Sequence, residues 1–130
     1  KTFQIKYIDD HNRSTDKIII GIFHKNKLIG TCGAQKKSKK KYYIGIFIFN
    51  IKYRGFSLSK ILISYLSHYL RRRESVTYVY ASVNRKNKVS HNLFKSLKFK
   101  ENLKEKKRYK SDVVYFIKIE KLIKLNHLIT

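Results

Sequence analysis

The feature that most restricts the fold of this chain is the stretch from Tyr43 to Leu70. It opens with an apolar run, Tyr-Ile-Gly-Ile-Phe-Ile-Phe-Asn, and passes through a short basic loop, Ile-Lys-Tyr-Arg-Gly-Phe-Ser-Leu-Ser. It then changes from strand-like alternation to helical periodicity. Leu58, Ile61, Leu62, Tyr65, Leu66 and Tyr69 recur at i, i+3, i+4 and i+7, which predicts a helix with that face packed on a sheet. A strand that turns through a basic loop into a helix leaves unpaired backbone N–H groups at the helix start. The helix dipole adds to their attraction for an anion, so the stretch predicts a phosphate-sized site at one end of a covered sheet.

The flanking segments supply the rest of such a sheet. Phe3 to Ile8 alternates apolar and polar side chains, and the polar run Asp9 to Asp16 predicts a loop. Lys17 to His24 and Lys27 to Ala34 are β-branched runs separated only by Lys25 and Asn26, a hairpin with a short turn. Lys36 to Lys41, Lys-Lys-Ser-Lys-Lys-Lys, reads as a charged connection. It could be a solvated hairpin tip or a clamp for phosphate groups of RNA. Arg71, Arg72 and Arg73 fall in the last turn of the helix, where cations complement its carbonyl end. Ser75 to Val83 is apolar on both faces, which predicts an interior strand. Asn87 predicts the cap of a helix running to about Leu97, with Val89, Leu93, Phe94 and Leu97 turned inward. Glu101 to Lys110 reads as a charged edge strand plus loop, Asp112 to Ile119 as the last clear strand, and Leu122 to Ile129 as weakly amphipathic. Neither a repeat nor a linker composition divides the chain. The order predicts one α/β domain over residues 1–130, a mixed central sheet flanked by helices.

Charge decides which partners such a domain favours. Against 31 Lys and Arg there are only 8 Asp and Glu, a net charge of +23 that attracts polyanions. The abundance of Lys, Ile, Asn, Phe and Tyr has the pattern of an AT-rich coding sequence, but that bias does not explain the scarcity of carboxylates. An RNA or ribonucleoprotein partner is one expectation. The single cysteine, Cys32, cannot form an internal disulfide or a cysteine metal cluster, so it reads as a small buried side chain in a reducing, intracellular compartment, cytoplasm or organelle. No metal site is expected, and no run approaches the roughly 20 apolar residues that span a bilayer. The chain starts at Lys1 rather than Met, so an upstream segment is expected.

The order strand, Tyr-Arg-Gly, helix, strand, then Asn-x-x-x-x-x-Leu-Phe-x-x-Leu-x-Phe resembles the GNAT family of N-acetyltransferases, which move an acetyl group from acetyl-CoA to an amine. The resemblance covers roughly Ile18 to Ile119. It implies a GNAT-like acyl-CoA N-acyltransferase fold. It also implies that Arg54 and the amides of Gly55, Phe56, Ser57, Leu58, Ser59 and Lys60 cradle the cofactor's pyrophosphate. The strand containing Phe47, Ile48 and Phe49 would bind the pantetheine arm, and Asn87 and Phe94 would line the thiol end. The loop also looks like that of glucosamine-phosphate acetyltransferases, which implies an aminosugar phosphate as acceptor, with protein amino groups the wider alternative.

This chain departs from the family pattern at several of these positions. Both later glycines of the pyrophosphate loop are serines, Ser57 and Ser59, and the position of the frequent proton-donating tyrosine is Phe94. Tyr109 and Tyr115 are the candidates to replace that phenol. Lys98 stands where a glycine normally follows the helix, and there is no carboxylate between Asp16 and Glu74 to act as a general base. His24 and His68 are the histidines that could serve instead, while His91 is expected to lie exposed on the second helix. The family's helical pair between the first strand and the hairpin is missing, so it lies upstream, is replaced by another chain, or has no acceptor to enclose. The resemblance therefore implies an acetyltransferase that relies mainly on orientation. The alternative is a catalytically eroded GNAT-like fold serving as a basic RNA-binding component of a ribosome or other ribonucleoprotein.

Overall fold

The computed structural model describes residues 3–7, 17–48, 52–53, 58–74, 76–104 and 112–129. Its elements are β1 (Gln4–Tyr7), β2 (Lys17–His24), β3 (Lys27–Ser38), β4 (Lys41–Ile48), α1 (Leu58–Glu74), β5 (Tyr78–Asn84), α2 (Lys88–Ser96), β6 (Lys100–Glu101), β7 (Asp112–Lys118) and α3 (Ile119–Ile129). The strands form one sheet in the order β1-β2-β3-β4-β5-β7-β6. Every neighbouring pair is antiparallel except β4 and β5, which are parallel and joined through α1.

The hairpin between β2 and β3 turns on Lys25 and Asn26, with φ of 50 and 63°. Left-handed backbone at both positions is what a two-residue hairpin needs to match the strands' twist. At the next turn the structure departs from the sequence expectation. Most of the lysine run is strand, and only Lys39 and Lys40 make the turn. Long lysine stems can flank a strand and still carry their charge to water, so the charge of the run does not prevent pairing.

One face of the sheet holds the core. Alternate residues enter it: Ile18, Ile20 and Ile22 from β2, Tyr42 and Ile44 from β4, Val79, Ala81 and Val83 from β5, and Val113, Tyr115 and Ile117 from β7. Leu58, Leu62, Ile63, Leu66 and Leu70 of α1, Phe94 of α2, and Ile119, Leu122 and Ile123 of α3 belong to the same cluster. All three described helices therefore cover the same face. A fully buried leucine contributes about 1.5–3 kcal/mol, so α1, with five such aliphatic side chains, is firmly docked.

The helix faces are rotated from those the sequence predicts. Ile61 and Tyr65 of α1 are 36% and 42% exposed, while Ser64 and Ser67 are buried. The Ser67 hydroxyl donates to the Ser64 carbonyl at 2.8 Å, which satisfies it inside the helix and permits its burial. On α2, Val89 is 78% exposed and Phe94 anchors the helix. The weakly amphipathic tail is α3, which begins directly where β7 ends. Its first N–H, on Ile119, donates to the Thr77 carbonyl at 2.9 Å. No described helix is long and apolar enough to cross a membrane.

Candidate functional site

The parallel pairing of β4 and β5 covers three residue pairs, Lys41 with Tyr78, Tyr42 with Val79 and Tyr43 with Tyr80. Both strands continue past that point. β4 stays paired with β3 as far as Ile48, and β5 stays paired with β7 as far as Asn84. The facing edges, Ile44–Ile48 and Ala81–Asn84, have no ladder between them, so the sheet divides into a cleft at the carboxyl ends of its two parallel strands. Backbone donors and acceptors along such an edge can receive an extended, amide-bearing ligand as an added strand. Gly45 lies on the β4 edge, and a side chain there would meet nothing within 4 Å.

Topology brings two helix starts to the open end of this cleft. α1 begins at Leu58 after the connection from β4, and α2 begins at Lys88 after β5. Neither has an acidic residue in its first turn. Unpaired N–H groups and dipole ends without a competing carboxylate favour an anion there. Leu58 is buried and seats the helix, while Ser59 and Lys60 are half-buried on its first turn. Arg54, Gly55, Phe56 and Ser57, together with Phe49 and Tyr109, lie outside the described residues. Phe47 and Ile48 form the last part of β4 along the cleft.

Asn87 is the N-cap of α2, its Oδ1 accepting the Ser90 N–H at 3.1 Å. The other end of α2 closes as a Schellman turn: the Phe99 N–H reaches back to the Phe94 carbonyl at 3.0 Å, and their rings meet at 5.0 Å. This turn holds Lys98 at φ 67°, the left-handed conformation that glycine adopts at least cost. Phe94 is 3% exposed, packed against Phe99 and stacked on Tyr115.

Tyr115 has a partner that periodicity could not supply. Its hydroxyl lies 2.8 Å from His91 Nδ1, and His91 Nε2 lies 2.9 Å from the Asn84 carbonyl oxygen. A carbonyl only accepts, so in the neutral ring Nε2 carries the proton and Nδ1 accepts from the phenol. Burial, and then the charge of Glu101, raise the pKa of Tyr115 above its ordinary value, which keeps this donor protonated. His91 is thus half-buried and doubly bonded rather than exposed. The pair borders a shallow groove of about 440 Å³ whose walls include Arg85, Lys88, Lys95 and Glu101. His24 is engaged elsewhere, in ring contact with Phe3 and Tyr53 at 5.2 and 5.4 Å. Cys32 is buried and free, its thiol pushed up to about 12 by burial. Among the described residues no cluster of His, Cys, Asp or Glu could hold a metal ion.

A sequence model described as the Acetyltransferase (GNAT) family matches residues 1–99. No curated protein matches the chain in sequence. Solved structures do match in shape. A domain from Methanocaldococcus jannaschii superposes with a TM-score of 0.74 at 16% identity, over 90% of this chain and 98% of that one. The N-acetyltransferase PseH of Campylobacter jejuni, in complex with acetyl coenzyme A, gives 0.65 at 17% identity, over 82% of this chain and 71% of that one. Spermidine N-acetyltransferase of Vibrio cholerae, in complex with CoA and spermine, gives 0.71 at 17% identity, over 87% and 72%.

Proposed function

Because the chain belongs to the Acetyltransferase (GNAT) family and carries the fold of its acyl-CoA N-acyltransferases, we propose that it transfers an acetyl group from acetyl-CoA to an amine, with an aminosugar phosphate as the preferred acceptor. The observation that carries this reading is the division of the sheet after Tyr43 and Tyr80, between two helix starts free of acid. The residues present suit the cofactor. The free β4 edge can pair with the amides of a pantetheine arm, and Gly45 leaves space beside it. Arg54 and the amides from Gly55 to Lys60 would take the pyrophosphate. Asn87 and Phe94 would lie toward the thiol end, Asn87 also holding the start of α2.

A bound thioester would supply an electrophilic acyl carbon, at which the neutral amine would form a C–N bond as the C–S bond breaks, the thiolate leaving and taking up a proton from solvent. Orientation of amine against thioester contributes most of the rate in this reading, with backbone N–H groups of β4 polarising the carbonyl. Phe94 has no proton to give. Tyr115, the replacement phenol within the described residues, has its hydroxyl committed to His91, so we assign it a positioning role for α2. The amine proton then passes to solvent, which predicts a slow enzyme, since side-chain acid–base help typically contributes 10²–10⁴-fold.

Charge selects among acceptors. A polycation such as the spermine bound by the Vibrio cholerae protein is repelled by a field of +23, whereas an aminosugar phosphate is drawn in. Thiol release from acetyl-CoA, followed with glucosamine phosphate, spermine and peptide amino groups, tests this. The expected order is glucosamine phosphate first and spermine last. Silence for every amine at high enzyme concentration would remove the proposal, and a preference for spermine would remove its acceptor.

A further inference from the structure

The sheet face turned away from the helices has its own character. Positions alternating with the core residues place Tyr43 of β4, Tyr78 and Tyr80 of β5 and Phe116 of β7 there, with Tyr43 opposite Tyr80 and Tyr80 opposite Phe116. Their rings form one array. Tyr43 and Tyr80 are 5.5 Å apart between centroids, Tyr80 stacks on Phe116 at 6.1 Å, and Tyr78 meets Phe116 at 6.1 Å. A sheet face not covered by helices ordinarily alternates to polar residues. Here four neighbouring outward positions on three adjoining strands are aromatic.

Lysines frame the array. Lys37, two residues beyond Gln35, which pairs with Tyr43, falls on this face by alternation, and its Nζ stands over the rings of both Tyr43 and Tyr80, 5.2 Å from each centroid. Lys41 Nζ is 5.7 Å from the Tyr80 ring. The exposed residues Lys100, opposite Phe116, and Lys118, opposite Tyr78, continue the cationic border. None of the described helices packs here; Tyr43, Tyr78 and Phe116 are half-buried, and Tyr80 between them is buried, at 4% exposed.

We propose that this face binds a single-stranded polynucleotide, its bases stacking on the half-buried rings of Tyr78 and Phe116, which Tyr80 backs from beneath, and its phosphates drawn to the surrounding lysines. Every base offers a π face, so an aromatic platform reads single strands without sequence preference. Lysine neutralises phosphate as a point charge and likewise reads no sequence. A duplex hides its base faces and an acidic peptide has none, so neither can use the rings. The net charge of +23 supplies the long-range attraction. This surface lies on the opposite side of the sheet from α1 and α2, and the proposal does not depend on acetyl transfer.

The test uses the full chain and a fluorescent oligouridylate at about 150 mM salt. Tyr78→Leu with Phe116→Leu keeps apolar bulk and removes two rings. It is expected to weaken binding about tenfold or more while leaving the salt slope and the stabilisation by acetyl-CoA unchanged. Lys37→Gln with Lys41→Gln gives a second, independent reading: the slope of log affinity against log salt should fall by roughly 1.4, at about 0.7 per phosphate contact. If the leucine pair binds as the parent does, or if a duplex or polyglutamate competes as well as the single strand, the platform is refuted and only general charge attraction is left. If the leucine pair does not fold, an unchanged slope in the glutamine pair refutes it instead.

Discussion

The two walls of the cleft are built to one plan, a parallel strand running into a helix, yet they are held in different ways. On one side α1 is a long helix whose Leu58, Leu62, Ile63, Leu66 and Leu70 are sunk against the sheet. On the other, α2 spans only Lys88–Ser96, with Phe94 as its buried residue. A helix of that length is not stable by itself in water. It is fixed by the Asn87 cap, by the two bonds of His91, and by a Schellman turn that requires Lys98 to be left-handed. The first wall, expected to hold the cofactor's phosphates, rests on backbone geometry and burial, which tolerate sequence drift. The second, where a proton donor would stand, rests on a few particular side chains, and there the family's tyrosine is Phe94.

The comparison breaks most sharply at Phe94. Phe94→Ala removes the single ring that anchors α2 and is expected to cost about 3–5 kcal/mol in urea unfolding. A loss below about 1 kcal/mol would mean that polar contacts alone hold the wall. Cys32, paired opposite Ile46 of β4, probes the other wall by pH. Its folded pKa, about 12, lies above the ordinary 9.0. The folded state therefore keeps a proton that the unfolded chain releases. Stability attributable to this thiol is complete below pH 9 and lost as pH rises toward 12, at up to about 1.4 kcal/mol per pH unit. Cys32→Ala should flatten that part of the profile relative to the parent, and an unchanged slope would show that the thiol is not sealed behind β4.

Two smaller changes sharpen the picture of α2. Lys98→Gly relieves left-handed backbone and is expected to stabilise the protein by about 1 kcal/mol, visible as a raised denaturant midpoint. A decrease would show that the lysine stem contributes more than its backbone strain costs. Tyr115→Phe removes the proton that His91 Nδ1 accepts and is expected to cost about 1 kcal/mol, with kcat changed less than about threefold. If kcat instead falls 10²-fold or more while stability holds, Tyr115 is the replacement phenol after all.

Much of this architecture was legible in the sequence. The strands β2 and β7, the Lys25-Asn26 hairpin, the Asn87 cap and the strand-to-helix transition before Leu58 all follow from alternation, turn chemistry and capping. The rotation of α1 was not, because Ser64 and Ser67 count as polar in any periodicity, and for Ser67 it is a carbonyl of the helix itself that satisfies the buried hydroxyl. Helix α3 was missed because it carries no separating loop after β7. β5 read correctly as interior to the sheet, but its second apolar face is not covered by a helix: Tyr78 and Tyr80 look away from the helices, Tyr80 buried among neighbouring side chains of its own face. The cleft was invisible to alternation, which says which face a residue occupies and nothing about where two strands part. The expectation that His91 is exposed failed for the same reason, since the partners that hold it are 7 and 24 residues away.

The most direct test of the account is thermal stabilisation by acetyl-CoA, set beside ATP and inorganic polyphosphate at low and near-physiological salt. A ligand seated in a formed cleft at about 100 times its dissociation constant adds about 2.7 kcal/mol. The account predicts that acetyl-CoA reaches this, exceeds ATP, and keeps most of the gain when salt is raised. If acetyl-CoA matches ATP and both gains vanish with salt, the divided sheet is not an acyl-CoA site, and the chain has kept the family's fold without its cofactor.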